Sequence, residues 1–188
     1  MREYFTGRLQ DGTKIHEVKP YKNQINKTNM MGFEGKFANS MANVLGKMWD
    51  VDAFFSVWPL DLKKNLGKIN DQFQGMNQHD SHEFLSVIMG ALHEEVNIRM
   101  SKPYIENPEN RPDTVNLSYE FWANFLRRNW SVFVFIFYGQ IRSALQCEYC
   151  KTLKVIYEPF SVLSLPVPNA NSIQLPILVF PIALTLEK

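Results

Sequence analysis

The chain has 188 residues, of which 45% are hydrophobic and 21% charged, and its formal net charge is +1 at pH 7. This composition excludes a disordered tail, and the balanced charge argues against nucleic-acid and membrane partners. No apolar signal sequence follows Met1, and the longest apolar runs are shorter than the roughly 20 residues that span a bilayer. Two cysteines are too few for a disulfide framework, so we expect a globular intracellular protein, cytoplasmic or nuclear.

The N-terminal part of the chain predicts an irregular segment followed by helices. Residues 1–27 are polar and show no hydrophobic period, and we place a domain after them, over 28–188. From Phe33 to Trp49 apolar residues recur every three or four positions, which predicts a helix. Pro59 can occupy the first turn of a second helix that runs towards Ile69.

The clearest predicted helix runs from about Ser81 to Ile98. Asp80 is a good N-cap residue, and Glu83 lies three positions later, which is the spacing of a capping box. The apolar residues that fall four apart on one face are Phe84, Ile88, Leu92 and Val96. A polar, proline-rich stretch over 101–113 then predicts a surface loop.

The last third of the chain changes from helical to β character. Ser118 is expected to cap a helix that extends to Arg128. After Trp130, aromatic and β-branched runs predict strands. These runs are 132–138, 153–157, 160–165 and 173–186. A helical part over 33–129 followed by a β-rich part over 130–188 indicates an α+β fold.

Cys147 and Cys150 form a C-x-x-C motif that has three interpretations. The pair could be a zinc knuckle, a redox dithiol or two unrelated thiols. Residues 140–146 and 152–157 look like strands of a hairpin, whereas a redox motif favours a strand–helix junction, so the knuckle is preferred. Because tetrahedral zinc needs four ligands, the two cysteines would be half a site, completed by histidines or by further sequence.

A second polar cluster lies at the start of the clearest helix and contains His79, Asp80, His82 and Glu83. A metal site is conceivable there, but the H-E-x-x-H motif is absent because Ser86 stands where the second histidine would be. The alternative interpretation is a helix cap with polar neighbours.

Two segments of the chain carry longer motifs. Residues 78–85 read Q-H-D-S-H-E-F-L, which resembles the box Q-Q-D-A/S-x-E-F-L. Residues 138–150 resemble the pattern F-x-G-x-L/I-x-S-x-V/L-x-C-x-x-C and continue into E-P-F and L-S-L-P-V-P. Both patterns, in this order, are those of the ubiquitin-specific protease family of cysteine proteases. Weaker likeness extends back to Thr28, so the resemblance covers most of the chain.

The resemblance implies part of a papain-like catalytic domain, with a helical thumb part followed by β-rich fingers and palm. The family hydrolyses the isopeptide bond after the C-terminal glycine of ubiquitin, so ubiquitin or ubiquitinated proteins are the implied partners. Gln78 and Asp80 would lie beside the channel for the ubiquitin tail, where the aspartate would bind tail backbone or an arginine. Cys147 and Cys150 would form half of the zinc site of the fingers.

The chain also departs from the family pattern. No cysteine precedes Cys147 and no histidine follows His93, so the nucleophile box G-N-T/S-C and the catalytic histidine box G-H-Y are absent. The second C-x-x-C is missing too, and His79 replaces the second glutamine of Q-Q-D. Thiol proteolysis needs a thiolate activated by a nearby imidazole. We therefore expect no catalytic residue in this chain and no deubiquitinase turnover by the chain alone.

Three hypotheses follow from the motifs. In the first, the chain is a fragment of a deubiquitinase whose other exons or domains supply cysteine and histidine. In the second, it is a non-catalytic relative that binds ubiquitin or acts as a scaffold. In the third, it is an isolated zinc or redox module. A nucleophile box encoded in frame upstream would separate the first two hypotheses, and metal analysis would separate the third.

Overall fold

The computed structural model describes residues 1–50, 56–108 and 115–166. Its helices in chain order are α1 (Arg2–Thr6), α2 (Lys36–Met48), α3 (Leu60–Ile69), α4 (Ser81–Glu95), α5 (Val115–Arg128) and α6 (Val132–Phe137). Two short 3-10 helices lie at Pro20–Gln24 and Asp71–Phe73. The strands β1 (Gly139–Gln146) and β2 (Leu153–Phe160) pair in an antiparallel sheet. Helices precede strands, which is compatible with the α+β order, and no helix in the described ranges is long and apolar enough to cross a membrane.

The main predicted helices and the hairpin are confirmed. Helices α2 and α3 fall inside the predicted spans, and α4 begins at Ser81 as expected but ends at Glu95. Strands β1 and β2 pair from Gly139 with Phe160 to Gln146 with Leu153, on either side of the C-x-x-C motif. The predicted strand over 173–186 lies outside the described residues.

Three predictions in the C-terminal half of the chain are wrong. The predicted strand over 132–138 is helix α6, whose N-cap Ser131 accepts a hydrogen bond from the Val134 amide at 3.3 Å. An unbroken apolar run has no alternation that would distinguish a strand from a helix. The N-cap and the packing against the core therefore determine that these residues form a helix. Ser118 does not cap α5 but lies inside it, where its hydroxyl donates to the Val115 carbonyl. Past Phe160, the described residues of the predicted strand over 160–165 are not in a strand.

The N-terminal segment over 1–27 is not wholly irregular, because it contains α1 and a 3-10 helix. Phe5 and Tyr21 are almost completely buried, and their ring centroids lie 5.4 Å apart. A helix of five residues is too short to show a hydrophobic period, which explains why the sequence pattern missed it. This segment packs into the core, which also contains buried side chains of α2, α3 and α4, among them Phe37, Ala38, Leu66, Ile88 and Leu92.

The N-terminus of α2 is capped by a side chain from another helix. Its own N-cap residue is Gly35, which has φ 82° and provides no side chain. The buried carboxylate of Glu95, at the end of α4, accepts a hydrogen bond from the Phe37 amide at 3.1 Å and another from the Ala38 amide. Glu95 thus satisfies two backbone donors that a helix start otherwise leaves unpaired.

Asn97, two residues further on, joins three parts of the chain. Its carbonyl accepts from the Asn26 side chain at 2.9 Å, and its side-chain amide donates to the Arg128 carbonyl at 3.0 Å. Its Oδ1 accepts from the Trp130 amide at 3.0 Å. The backbone and the side chain of one buried residue therefore hold the N-terminal segment, the end of α4 and the end of α5 together.

We predict that Glu95→Ala strongly destabilises the fold. The substitution leaves two buried amides without an acceptor, each costing about 1–3 kcal/mol, so the free energy of unfolding should fall by about 3–5 kcal/mol. Glu95→Gln should cost less, since its amide oxygen still accepts one hydrogen bond. Urea denaturation followed by circular dichroism measures both changes.

The control for this prediction is Glu148→Gln, which removes an exposed carboxylate from the hairpin turn and should leave stability unchanged within about 0.5 kcal/mol. A Glu95→Ala protein as stable as this control would show that the cap is not structural.

Candidate functional site

The segment before α4 contains Gln78 and Asp80, the two residues for which the sequence motif predicts binding. Asp80 is the N-cap of α4, and its Oδ1 accepts hydrogen bonds from the amides of His82 at 2.7 Å and Glu83 at 3.2 Å. This confirms Asp80 as the N-cap, whereas the described hydrogen bonds do not include the reciprocal bond of a capping box from the Asp80 amide to Glu83. The Glu83 carboxylate accepts from the Gln72 side chain at 2.7 Å, so Glu83 ties α4 to the preceding 3-10 helix.

Two aromatic contacts fix the same segment on the protein. The Phe73 ring is buried and meets the His79 ring edge-on at 5.0 Å between centroids. On its other side it meets the Phe84 ring at 5.7 Å. His79 therefore packs against Phe73 beside the helix cap, a contact that the sequence pattern did not predict. Among the residues that the structure describes, no three His, Cys, Asp or Glu side chains group as metal ligands.

Gln78 and Asp80 are both exposed. Within the described contacts, Oδ2 of Asp80 has no hydrogen-bond partner, although Oδ1 is engaged in the cap. The side chains of Met76, Phe84 and Leu85 are exposed by 90%, 41% and 53%. An exposed carboxylate beside apolar side chains is a combination that suits binding of a polypeptide.

The two cysteines lie at the turn that joins β1 to β2, and both are exposed. The Cys147 carbonyl accepts from the Lys151 amide at 3.0 Å, and the Cys147 amide donates to the Thr152 carbonyl at 3.0 Å. Hydrogen bonds from Thr152, together with the Cys147 side chain, lower the pKa of Cys150 to about 7. Cys150 is thus partly a thiolate at neutral pH, which is the form that binds metals.

His93 has a structural environment that the sequence pattern did not reveal. It is buried, with Nδ1 at 2.8 Å from the Ser131 hydroxyl and Nε2 at 3.3 Å from the Asn129 side-chain oxygen. Burial lowers the pKa of His93, so the imidazole is held neutral. No hydrogen bond in the described part of the chain joins a histidine to either cysteine.

The amino-acid sequence of the chain is similar to known proteins over most of its length. A family model described as "Ubiquitin carboxyl-terminal hydrolase" matches residues 3–187. The chain belongs to this family. Among curated relatives, it is 38% identical over 150 residues to ubiquitin carboxyl-terminal hydrolase 8 of Arabidopsis thaliana, covering 79% of the chain and 17% of that protein. It is 37% identical over 150 residues to ubiquitin carboxyl-terminal hydrolase 15 of Homo sapiens, covering 79% of the chain and 15% of that protein.

A third relative is ubiquitin carboxyl-terminal hydrolase 32 of Drosophila melanogaster, which is 39% identical over 158 residues. That match covers 83% of the chain and 9% of the relative. The chain therefore corresponds to less than a fifth of the length of each of these three ubiquitin carboxyl-terminal hydrolases.

We predict that His93 makes this family member less stable in mild acid. Its folded-state pKa lies below the usual 6.5, so the unfolded chain binds a proton more readily as pH falls below that value. The contribution of His93 to the free energy of unfolding is complete above pH 6.5. It is lost as pH falls towards the folded-state pKa, by at most about 1.4 kcal/mol per pH unit. The free energy of unfolding, measured in urea from pH 7.5 to about 5.5, should fall less steeply in His93→Gln than in the native chain.

The matched control is His82→Gln, because His82 is exposed on the first turn of α4. Its pH profile should follow that of the native chain. If His93→Gln and the native chain have parallel profiles, the buried imidazole does not cause the effect.

Proposed function

We propose that this chain forms the ubiquitin-recognition part of a ubiquitin-specific cysteine protease. In this proposal residues 33–129 contribute to the thumb, and the hairpin from Gly139 contributes to fingers and palm. The observation that carries the proposal is the exposed Asp80, whose Oδ1 forms the helix cap while Oδ2 has no partner among the described hydrogen bonds. Membership of the ubiquitin carboxyl-terminal hydrolase family supports ubiquitin, or ubiquitinated proteins, as the partner.

Asp80 is proposed to have two roles at once. Its cap fixes the side chain at the positive end of the α4 dipole. A fixed carboxylate accepts strong hydrogen bonds from a guanidinium group or from backbone amides of a partner chain. The exposed amide of Gln78 can both donate to and accept from the backbone of the same partner. Together the two side chains would hold the ubiquitin tail in an extended form.

We propose that the chain by itself performs no hydrolysis. Nucleophilic attack by a thiol requires an imidazole within hydrogen-bond reach. The described hydrogen bonds connect His93 to Ser131 and Asn129, and connect Cys150 to Thr152. In this proposal, nucleophile and base come from another part of a longer polypeptide, and this chain supplies recognition.

Cys147 and Cys150 are proposed as two thiolate ligands of a zinc site. Their position on one tight turn and the lowered pKa of Cys150 suit zinc binding. Two thiolates are half of a tetrahedral set, and no third ligand groups with them within the described ranges. The residues therefore fit half a site, and no step of the proposed function depends on the metal.

We predict that Asp80→Asn weakens ubiquitin binding while preserving the fold. Asparagine caps a helix as well as aspartate does, but it lacks the charge that strengthens hydrogen bonds to a partner. Titration of isotope-labelled ubiquitin by NMR should show shifts of its C-terminal tail with the native chain and about tenfold weaker binding with Asp80→Asn. Asp80→Ala should also lose about 1 kcal/mol of stability.

The control is Asp61→Asn, which removes an exposed carboxylate from the first turn of α3 and should leave ubiquitin binding unchanged. Absence of tail shifts with the native chain would refute ubiquitin recognition, and equal binding by Asp80→Asn would refute the role of Asp80. Thiol-dependent release of aminocoumarin from a ubiquitin–aminocoumarin conjugate by the pure chain would contradict its proposed inactivity.

We predict that the purified chain holds substoichiometric zinc after dialysis, since two ligands bind zinc weakly. Replacement of both cysteines by serine should reduce this zinc to background. Retention of one zinc per native chain, measured by mass spectrometry of the metal, would show that further ligands complete the site.

A further inference from the structure

A basic groove runs between α2 and α3, on a surface that the proposed function does not use. Two adjoining cavities form it, with volumes of about 460 and 260 Å³. Lys36, Asn65 and Lys68 line both cavities, so they are parts of one continuous groove. We call it the lysine groove.

The charges along the lysine groove are mostly positive. Lys64 and Lys68 lie one helical turn apart on α3, and both are exposed. Within the described residues neither of these two lysines is ion-paired, whereas Lys36 pairs with Glu34 at 2.8 Å. Asp61 is the acidic residue among those that line the larger cavity. The two cavities together are lined by three lysines and two carboxylates, because Glu34 lines the smaller one. Since Glu34 is paired with Lys36, the unpaired lysines outnumber the remaining carboxylate by two to one.

The opposite wall of the groove carries asparagine amides. Asn39 and Asn43 are exposed and lie one turn apart on α2. The Tyr21 hydroxyl donates to Oδ1 of Asn39 at 2.7 Å, and this contact fixes the orientation of the amide. The NH₂ group of Asn39 is consequently the part that remains available to the groove. Side-chain amides at this spacing match the donors and acceptors of an extended main chain.

The arrangement favours a long anion over a compact one. A single phosphate typically binds the free backbone amides of a helix N-terminus. Here the buried Glu95 already occupies the amides of Phe37 and Ala38 at the start of α2. The remaining donors are spread along two helices, so several carboxylates along one strand of polypeptide fit them better than one compact group.

We propose that the lysine groove binds an extended, acidic segment of a partner polypeptide. Carboxylates of the segment pair with Lys64 and Lys68, and its main chain pairs with Asn39 and Asn43. The interaction does not require ubiquitin, so it is independent of the role proposed for Asp80.

The test uses a fluorescein-labelled peptide of alternating glutamate and serine, and fluorescence anisotropy with the full chain. We expect saturable binding that a peptide with glutamine in place of glutamate does not show. The combined variant Lys64→Glu/Lys68→Glu should bind at least about tenfold more weakly. Its matched control, Lys47→Glu/Lys154→Glu, changes the net charge equally at exposed lysines outside the groove and should bind within about twofold of the native chain.

A second substitution tests the asparagine wall. Asn43→Leu keeps every charge. It should still weaken binding of the peptide, because the contact between the Asn43 amide and the peptide main chain is lost. Circular dichroism verifies that each variant is folded.

Three outcomes would overturn the proposal. The first is absence of binding by the native chain. The second is equal weakening in the control pair, which would show attraction by net charge alone. The third is tighter binding of inorganic phosphate or of a labelled oligonucleotide than of the peptide, with the same loss in Lys64→Glu/Lys68→Glu.

Discussion

The buried carboxylate of Glu95 connects the end of α4 to the start of α2, and the position of the exposed site depends on it. Helix α4 has 15 residues and so is about 22 Å long. One end is fixed inside the core by Glu95 and the neighbouring Asn97, whereas the other end presents Asp80 at the surface. Because a packed helix behaves as a rigid rod, fixing its buried end also sets the place and direction of its exposed start. The core thus sets the position of the carboxylate that is proposed to bind ubiquitin.

Among the residues that the structure describes, the carboxylates of Glu95 and Asp80 cap helices, and their environments separate their roles. Glu95 is fully buried and both of its oxygens accept from backbone amides of α2. Burial raises the pKa of Glu95, and the hydrogen bonds from these amides oppose that effect. Both oxygens of Glu95 are used inside the protein, so its role is structural. Asp80 is exposed and commits one oxygen to its cap. A carboxylate that caps a helix therefore stabilises the interior at Glu95, whereas at Asp80 it keeps one oxygen for the proposed contact with a partner.

Sequence patterns predicted the parts of the molecule that depend on local spacing. Helices α2, α3 and α4 have a hydrophobic period or an N-terminal signal of their own, and the Asp80 cap lies within three residues of the amides it binds. Helix α6 was assigned as a strand because its apolar run has no period. The cap between Glu95 and Phe37 joins residues 58 positions apart, and no local pattern encodes it. The lysine groove is likewise formed by the packing of α2 against α3.

The near-zero net charge of the chain conceals two local fields of opposite sign. In the proposed roles, Asp80 binds a cationic or amide-bearing chain, whereas Lys64 and Lys68 bind an acidic one. Each surface repels the ligand of the other, so a basic tail and an acidic segment cannot exchange places without bringing like charges together. A partner that carried both features would be held in one orientation. In these two proposed roles, the lysines of α3 and the carboxylate at the start of α4 would orient an approaching partner electrostatically, before any tight contact forms.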